Sequence, residues 1–343
     1  MPMIVVEIDD PLWTDFVYDC PAAVPFHHPA WTRLLADCYG YRPLALALTG
    51  EAGRIVAGLP VLEVRSAFGN RRWVSLPFTD YCPPLAVSDE VREQLVAGLD
   101  AVRRDAGVSR VEVRAGLDGP RTYSRSNYVM HTLRLEGGPQ AIFRTFKRTQ
   151  VQQRIAKAER EGVTVRRSRS LSDVTDVFYD LHTRTRRRLG VPVQPRRLFK
   201  LFHQSIIETG LGFVQLAYLH DTPIAGAVFL AWNRTVSYKY SASDVKFLRH
   251  RPNNLVLWQA IRWAAEHDYK VFDFGRSDLN DHGLRSFKSG WGTEEEPLTY
   301  TEIADHPPKR SLASQDKALA GLIRRAPPWV ARLIGELFYK YAA

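Results

Sequence analysis

The sequence predicts an α/β protein of the α+β kind: two successive units, each a mixed, largely antiparallel sheet flanked by helices. Three observations carry this prediction. The chain has 343 residues, more than one ordinary domain holds and enough for two of about 150 to 170 residues. Its composition, 45% apolar and 24% charged, is that of a soluble globular protein. Its halves also read alike, with Ala57-Gly58 recurring as Ala225-Gly226 168 residues later and Val74-Ser75 recurring as Val236-Ser237 162 residues later.

The elements of the first half follow from hydrophobic period and punctuation. PAWTRLLADCYG (29–40) repeats apolar residues at helical spacing, and PLALALTG (43–50) follows as a strand. EAGR turns into the strand IVAGLPVLEV (55–64), RRWVSLPF (71–78) gives another, EVREQLVAGLDAVRRDAG (90–107) is a helix and SRVEVR (109–114) a strand. The second half repeats this order. RRLFKLFHQSIIETG (196–210) is the helix, GFVQLAYL (212–219) the strand, and HDTP the turn into IAGAVFLAW (224–232). RTVSYKYSAS (234–243), the helix NNLVLWQAIRWAAEHD (253–268) and the strand YKVFDFG (269–275) close it. Between the halves, Ile142, Phe146, Val151 and Ile155 stripe a basic helix that stops at Gly162. The expected units are therefore 1–140 and 166–305, with a linking helix at 141–165 and a helical tail at 306–343. In that tail Trp329, Val330, Leu333, Ile334, Leu337 and Phe338 share one face, which packs on the body or lies on an anionic membrane surface.

Several classes are excluded. The start, MPMIVVEIDD, has no basic n-region, and no apolar run reaches the roughly 18 residues that span a bilayer. A cytoplasmic protein is expected, at most in peripheral contact with the inner face of the membrane. Cys20, Cys38 and Cys82 are scattered, and the ten histidines show no H-E-x-x-H or related ligand spacing, so no metal site is expected. His27-His28 begins an H-H-x-x-x-D motif, but position 32 is Thr.

Two stretches carry chemistry. Residues 144–188 hold thirteen Lys and Arg against five Asp and Glu, a net +8. Clustered cations attract polyanions, and arginine grips phosphate in a bidentate fork. Arg184, Arg186 and Arg187, flanking the turn Gly190-Val191-Pro192, are the candidates to meet a phosphate. The second stretch is FDFGRSDLNDHGLRSFKSGWG (272–292), which leaves a core strand through polar residues and ends in a lysine between Phe287 and Gly290-Trp291-Gly292. Leu284, Phe287 and Trp291 are spaced to anchor a short helix, which turns Lys288, about 100° round, towards a cleft.

With those residues in view, the chain resembles the FemAB-like transferases, twin acetyltransferase-fold (GNAT-like) proteins. The likeness runs from FHHPAW (26–31) through LPFTDYCPPL, RIAKAEREGVTV and LHTRTRRRLGVP to GLRSFKSGWG and PLTY (297–300). It implies two GNAT-like domains and transfer of an aminoacyl group from charged tRNA to an amine of a peptidoglycan precursor. It implies a reaction centre at Lys288 with Phe287, where a fixed ammonium stabilises the carbonyl oxygen, and Asp273 to orient an amine or accept its proton. Arg276, Asp80, Tyr81 and Tyr238 are the further substrate contacts implied. The R-x-x-G-x-G/A turn by which acyl-CoA enzymes of this fold hold pyrophosphate is missing, the equivalent stretches reading SDVKFLRHRPNNL and FTDYCPPL.

The leading expectation is an acyl- or aminoacyltransferase acting on a cell-envelope precursor, of peptidoglycan or exopolysaccharide. It holds no permanent cofactor and takes aminoacyl-tRNA or acyl-CoA as donor. Its partners are a phosphorylated sugar or lipid-linked precursor and charged tRNA. Two alternatives are an acyl-CoA-dependent N-acetyltransferase of polysaccharide synthesis and a catalytically silent binding module. A nucleic-acid binder fits the charge, yet the chain carries no motif for it.

Overall fold

The computed structural model describes residues 1–65 and 69–308, together with residues 320, 321, 323, 324, 327, 330, 332 and 339 of the tail. The chain forms two compact units. One holds Met1–Val129 with the described residues from Pro297, and the other holds Met130–Glu296 with the described tail residues.

The first unit contains β1 (Met3–Glu7), α1 (Pro11–Asp19), α2 (Pro29–Tyr39), β2 (Arg42–Thr49), β3 (Ile55–Arg65), β4 (Arg71–Val74), β5 (Leu85–Ala86), α3 (Asp89–Asp105) and β6 (Arg110–Val113). Its strands run in the order β1-β2-β3-β4-β6, antiparallel except for the parallel β4–β6 pair. The helix ends are chemically marked. Pro29 opens α2 and Gly40, at φ +73°, closes it. Ser88 caps α3 by accepting from the Val91 N–H, with Asp89 and Glu90 in the first turn and Arg103 and Arg104 in the last. Leu46, Leu59, Val61, Leu95, Leu99 and Val111 meet in the core, each contributing about 1.5–3 kcal/mol by leaving water.

The second unit contains α4 (Gly138–Thr145), α5 (Gln153–Arg160), β8 (Val163–Ser168), α6 (Tyr179–Leu189), α7 (Arg196–Phe202), β9 (Gly212–Leu219), β10 (Thr222–Trp232), β11 (Thr235–Ser243), α8 (Pro252–Glu266), β12 (Val271–Asp278) and α9 (His282–Ser289). Its strand order, β8-β9-β10-β11-β12, again has one parallel pair, β11–β12. The duplication read from the sequence is thus present in the topology. Val74 and Val236 occupy the two parallel pairs, opposite Glu112 and Phe272. Gly58 and Gly226 sit under aromatic rings. A Cβ on Gly58 would strike the Trp13 ring, and one on Gly226 would lie 3.1 Å from the Phe178 ring, so only glycine fits either place.

Alternation along β10 sets the layers of the second unit. Ala225, Ala227 and Phe229 face a core shared with α4, α5 and α8. Gly226, on the other face, meets Phe178, which leads into α6 and packs with His182 and Phe199. The register of β10 on β11 slips between Val228 and Phe229, making Lys239 an extra residue. That bulge sends Tyr238 onto Phe229 and Tyr240 onto His182.

Several expectations change. The units divide at 129/130 and 296/297, not at 140, 165 and 305. Two long strands account for this, β7 (Thr122–Arg134) and β13 (Glu294–Ala304), neither of which the sequence reading found. The basic segment lies in the second unit and is no single helix. Phe146 turns extended at ψ 140° before a π-helical turn, Arg148–Gln152, and α5. Its apolar stripe is confirmed, since Ile142, Phe146, Val151 and Ile155 are all core. RRWVSLPF stops pairing at Val74 because Leu76 and Phe78 take φ +59° and +60°. The apolar face proposed for the tail lies, apart from Val330, outside the described residues. No described helix is long and apolar enough to cross a membrane.

Candidate active site

The site is built where β11 and β12 part. Their parallel register covers only Thr235–Ser237 against Val271–Asp273. Two residues later Gly275 takes φ +70°, and its N–H donates to Asp273 Oδ1 at 2.6 Å. Successive carbonyls of a regular strand point to opposite edges. The left-handed residue breaks that alternation, and the carbonyls of Gly275 and Arg276 both accept from Lys288 Nζ, at 2.9 and 2.8 Å.

Helix α9 presents the lysine. Asp281 caps it by accepting from the Leu284 N–H at 2.9 Å, and Arg285 ties it to Glu295 on β13 at 2.7 Å. Trp291 is fully buried, ringed by Phe146, Phe274 and Phe287. Both flanking glycines sit in tight places. A Cβ on Gly290 would lie 3.0 Å from Gln150 Oε1, and one on Gly292, at φ +71°, would lie 2.8 Å from Thr145 Oγ1. The Gly-Trp-Gly after the lysine is therefore the socket that locks α9 onto α4 and the π-helical turn.

Lys288 itself is only 4% exposed. The sequence reading turned it towards a cleft; the structure lays it inward, along β12. Leu284, expected as an anchor, is 37% exposed, so of the three expected apolar anchors only Phe287 and Trp291 pack into the core. Phe287 is half-buried against the core. Ser237 and Ser277 are 1% exposed, and their hydroxyls have no hydrogen-bond partner among the described residues. Ser237 lies opposite Asp273 in the parallel register, and the two hydroxyls give this region unused hydrogen-bonding capacity. Sequence reasoning passed over both, as it did His131, which lies on the unread strand β7 and is also buried.

The remaining candidates divide. Arg276 is half-buried beside the bulge. Tyr238 stacks on Phe229, and burial pushes its hydroxyl up to about 12. Asp80 and Tyr81 belong to the first unit, where the Asp80 carbonyl accepts from the Tyr300 hydroxyl at 2.6 Å and Tyr81 packs on the core. Arg184 pairs with Asp180 at 2.6 Å and Asp244 at 3.1 Å. Arg186 Nε donates to the Pro192 carbonyl, and Arg187 is half-buried with its Nε unpartnered among the described residues. The cations of 144–188 do not form one patch. Those of α4 and α5 lie on the α8 face and those of α6 on the opposite face. Arg166 and Arg167 of the edge strand β8 stack over Tyr218 and Trp263.

The start of α8, where acyl-CoA enzymes place a pyrophosphate, is largely committed. Pro252 has no N–H, Arg251 takes φ +57°, and the Asn254 N–H donates to the Arg251 carbonyl at 3.1 Å. His250 contacts Glu161 at 2.6 Å and Arg249 at 3.1 Å. No group of three His, Cys, Asp or Glu among the described residues is arranged to hold a metal.

The acetyltransferase (GNAT) domain family model matches residues 145–289. A lipid II:glycine glycyltransferase of Staphylococcus haemolyticus is 32% identical over 76 residues, 20% of this chain. The match spans only 18% of that relative's length. Among solved structures, FemX superposes with a TM-score of 0.69 at 14% identity, covering 88% of this chain and 97% of FemX. A tandem GNAT protein from the clavulanic acid biosynthesis pathway superposes with a TM-score of 0.54 at 10% identity, covering 90% and 100%. At such identities the likeness is one of fold: two GNAT-like units in one chain.

Proposed function

We propose that this chain, a FemAB-like protein of twin GNAT-like units, transfers an acyl or aminoacyl group to an amine of a lipid- or nucleotide-linked cell-envelope precursor. The observation that carries the reading is the Lys288 ammonium, held by two carbonyls at a strand bulge and flanked by Phe287. When an amine attacks an ester or thioester carbonyl, charge develops on the carbonyl oxygen. A cation already in place stabilises that charge without reorganising. Asp273 serves by holding the bulge through the Gly275 N–H, and Ser237 and Ser277 offer hydroxyls to the reacting groups. Arg276 and Tyr238 contact substrate here. Arg186 and Arg187 are the basic residues assigned to phosphate, since Arg184 is engaged by its ion pairs with Asp180 and Asp244.

Aminoacyl-tRNA is the preferred donor because the α8 start offers few backbone N–H groups. The match over 145–289 supports the second reading, an acyl-CoA-dependent N-acetyltransferase. Either enzyme would work at the cytoplasmic face, where charged tRNA and acyl-CoA are found. One experiment separates them: purified protein with an amine-bearing peptidoglycan precursor, given aminoacyl-tRNA or acetyl-CoA in parallel. An aminoacyl mass increment on the acceptor is the expected result. An acetyl increment selects the second reading, and no increment with either donor leaves a binding module.

A further inference from the structure

We propose that His131 is a positioning residue for Lys288, an imidazole that has to stay neutral for α9 to hold the lysine on β12. Only its consequence for activity rests on the transferase reading above.

His131 lies on β7, two residues before Leu133, and so shares the core-facing side of that strand. Its exposure is 0%, and neither ring nitrogen has a hydrogen-bond partner among the described residues. Buried polar groups are nearly always satisfied, so an imidazole left this way calls for a reason. The charged groups facing it are Lys288 and Arg285 from α9 and Glu295 from β13. Nε2 stands 3.7 Å from Glu295 Oε2, too far for a hydrogen bond and close enough for a charge to be felt. Arg134 and Glu294, paired with each other, occupy alternate positions pointing away.

Glu295 is already engaged. It accepts from Arg285 Nη2 at 2.7 Å and from Nε at 3.2 Å, while Arg285 Nη1 donates to the Leu279 carbonyl. This clamp fixes α9, and through α9 the lysine, against the strands. A proton on His131 would place a third cation beside Lys288 and Arg285. It would also compete with Arg285 for Glu295 and leave a buried N–H with no acceptor. Burial first and the Lys288 charge second hold the His131 pKa down to about 4, with Glu295 opposing them. Near neutral pH the imidazole fills the space without charge, and acid loosens the clamp.

Coupling between the two groups is reciprocal, which makes it testable without any substrate. The ring nitrogens of His131 are titrated by long-range proton–nitrogen NMR in the intact protein, its resonance assigned by its loss in His131→Asn. Lys288→Met should move the midpoint up by on the order of one pH unit, and Glu295→Gln should move it down. A midpoint unchanged in both variants overturns the proposal. In the transfer assay, the acid limb of kcat seen in the wild type should be absent in His131→Asn, with KM little changed. A histidine that merely fills space would lower thermal stability and leave the shape of that limb intact, which would also overturn the proposal. If the NMR coupling is found but Lys288→Met transfers at the wild-type rate, the transferase role of Lys288 falls and the electrostatic relation stands.

Discussion

The Nζ atom of Lys288 meets two carbonyls because Gly275 takes φ +70°, and Gly275 can do so because it has no Cβ. Two predictions belong at this scale. Lys288→Met keeps the stem and removes the charge, so transfer should fall by roughly a hundred- to thousandfold in a protein that still folds. Its melting temperature should be lowered by the loss of the donor to the Gly275 and Arg276 carbonyls. Turnover near wild type in steady-state assays would remove Lys288 from the mechanism. Gly275→Ala puts a Cβ on a left-handed residue at a cost of about 1–2 kcal/mol and swings one carbonyl away from Nζ. Chemical denaturation should show that loss together with reduced transfer. A fully active, fully stable variant would show that the bulge is unnecessary.

At the scale of the element, the start of α8 decides the donor. A pyrophosphate needs several backbone N–H groups converging at a helix N-terminus. Pro252 lacks one, and that of Asn254 is used by Arg251. Calorimetry with coenzyme A and with an aminoacylated tRNA 3′ end should therefore show binding of the second and at most weak binding of the first. Micromolar coenzyme A affinity with acetyl transfer would reverse the preference. This helix was legible in advance, since its apolar period and Pro252 are local signals. Helix α9 was only half legible. Spacing placed Phe287 and Trp291 in the core, and it also placed Leu284 there, which is exposed. A periodic pattern names a face but not how far the neighbouring layer extends beneath it.

For the whole molecule, buried histidines set the response to acid. His27, His28 and His131 are lowered to about 4 and His182 to about 3, all chiefly by burial. Their folded values lie below the ordinary 6.5, so as pH falls the unfolded chain takes up protons first. The stability these groups allow is complete above about pH 6.5 and is lost progressively towards pH 4. Calorimetric scans should give a melting temperature at pH 4.5 below that at pH 7.5 by on the order of 10 °C. Equal values at the two pH values would mean that the four rings are not held neutral.

The duplicated α/β plan, most helices and strands and the socket glycines around Trp291 could all be read from the residues, because their signals lie within a few positions of one another. The two long strands Thr122–Arg134 and Glu294–Ala304 could not. One mixes polar residues along most of its length and the other opens with three glutamates, and neither shows its partner in its own pattern. Those strands bring His131 to Glu295 and Lys288 across more than 150 residues of chain. They also move the unit boundary to 129/130 and 296/297. Charge in a linear window misled for the same reason. The sheet separates the cations of α5 from those of α6, because side chains near in sequence go to opposite faces once the strands pair, and only the paired strands decide which.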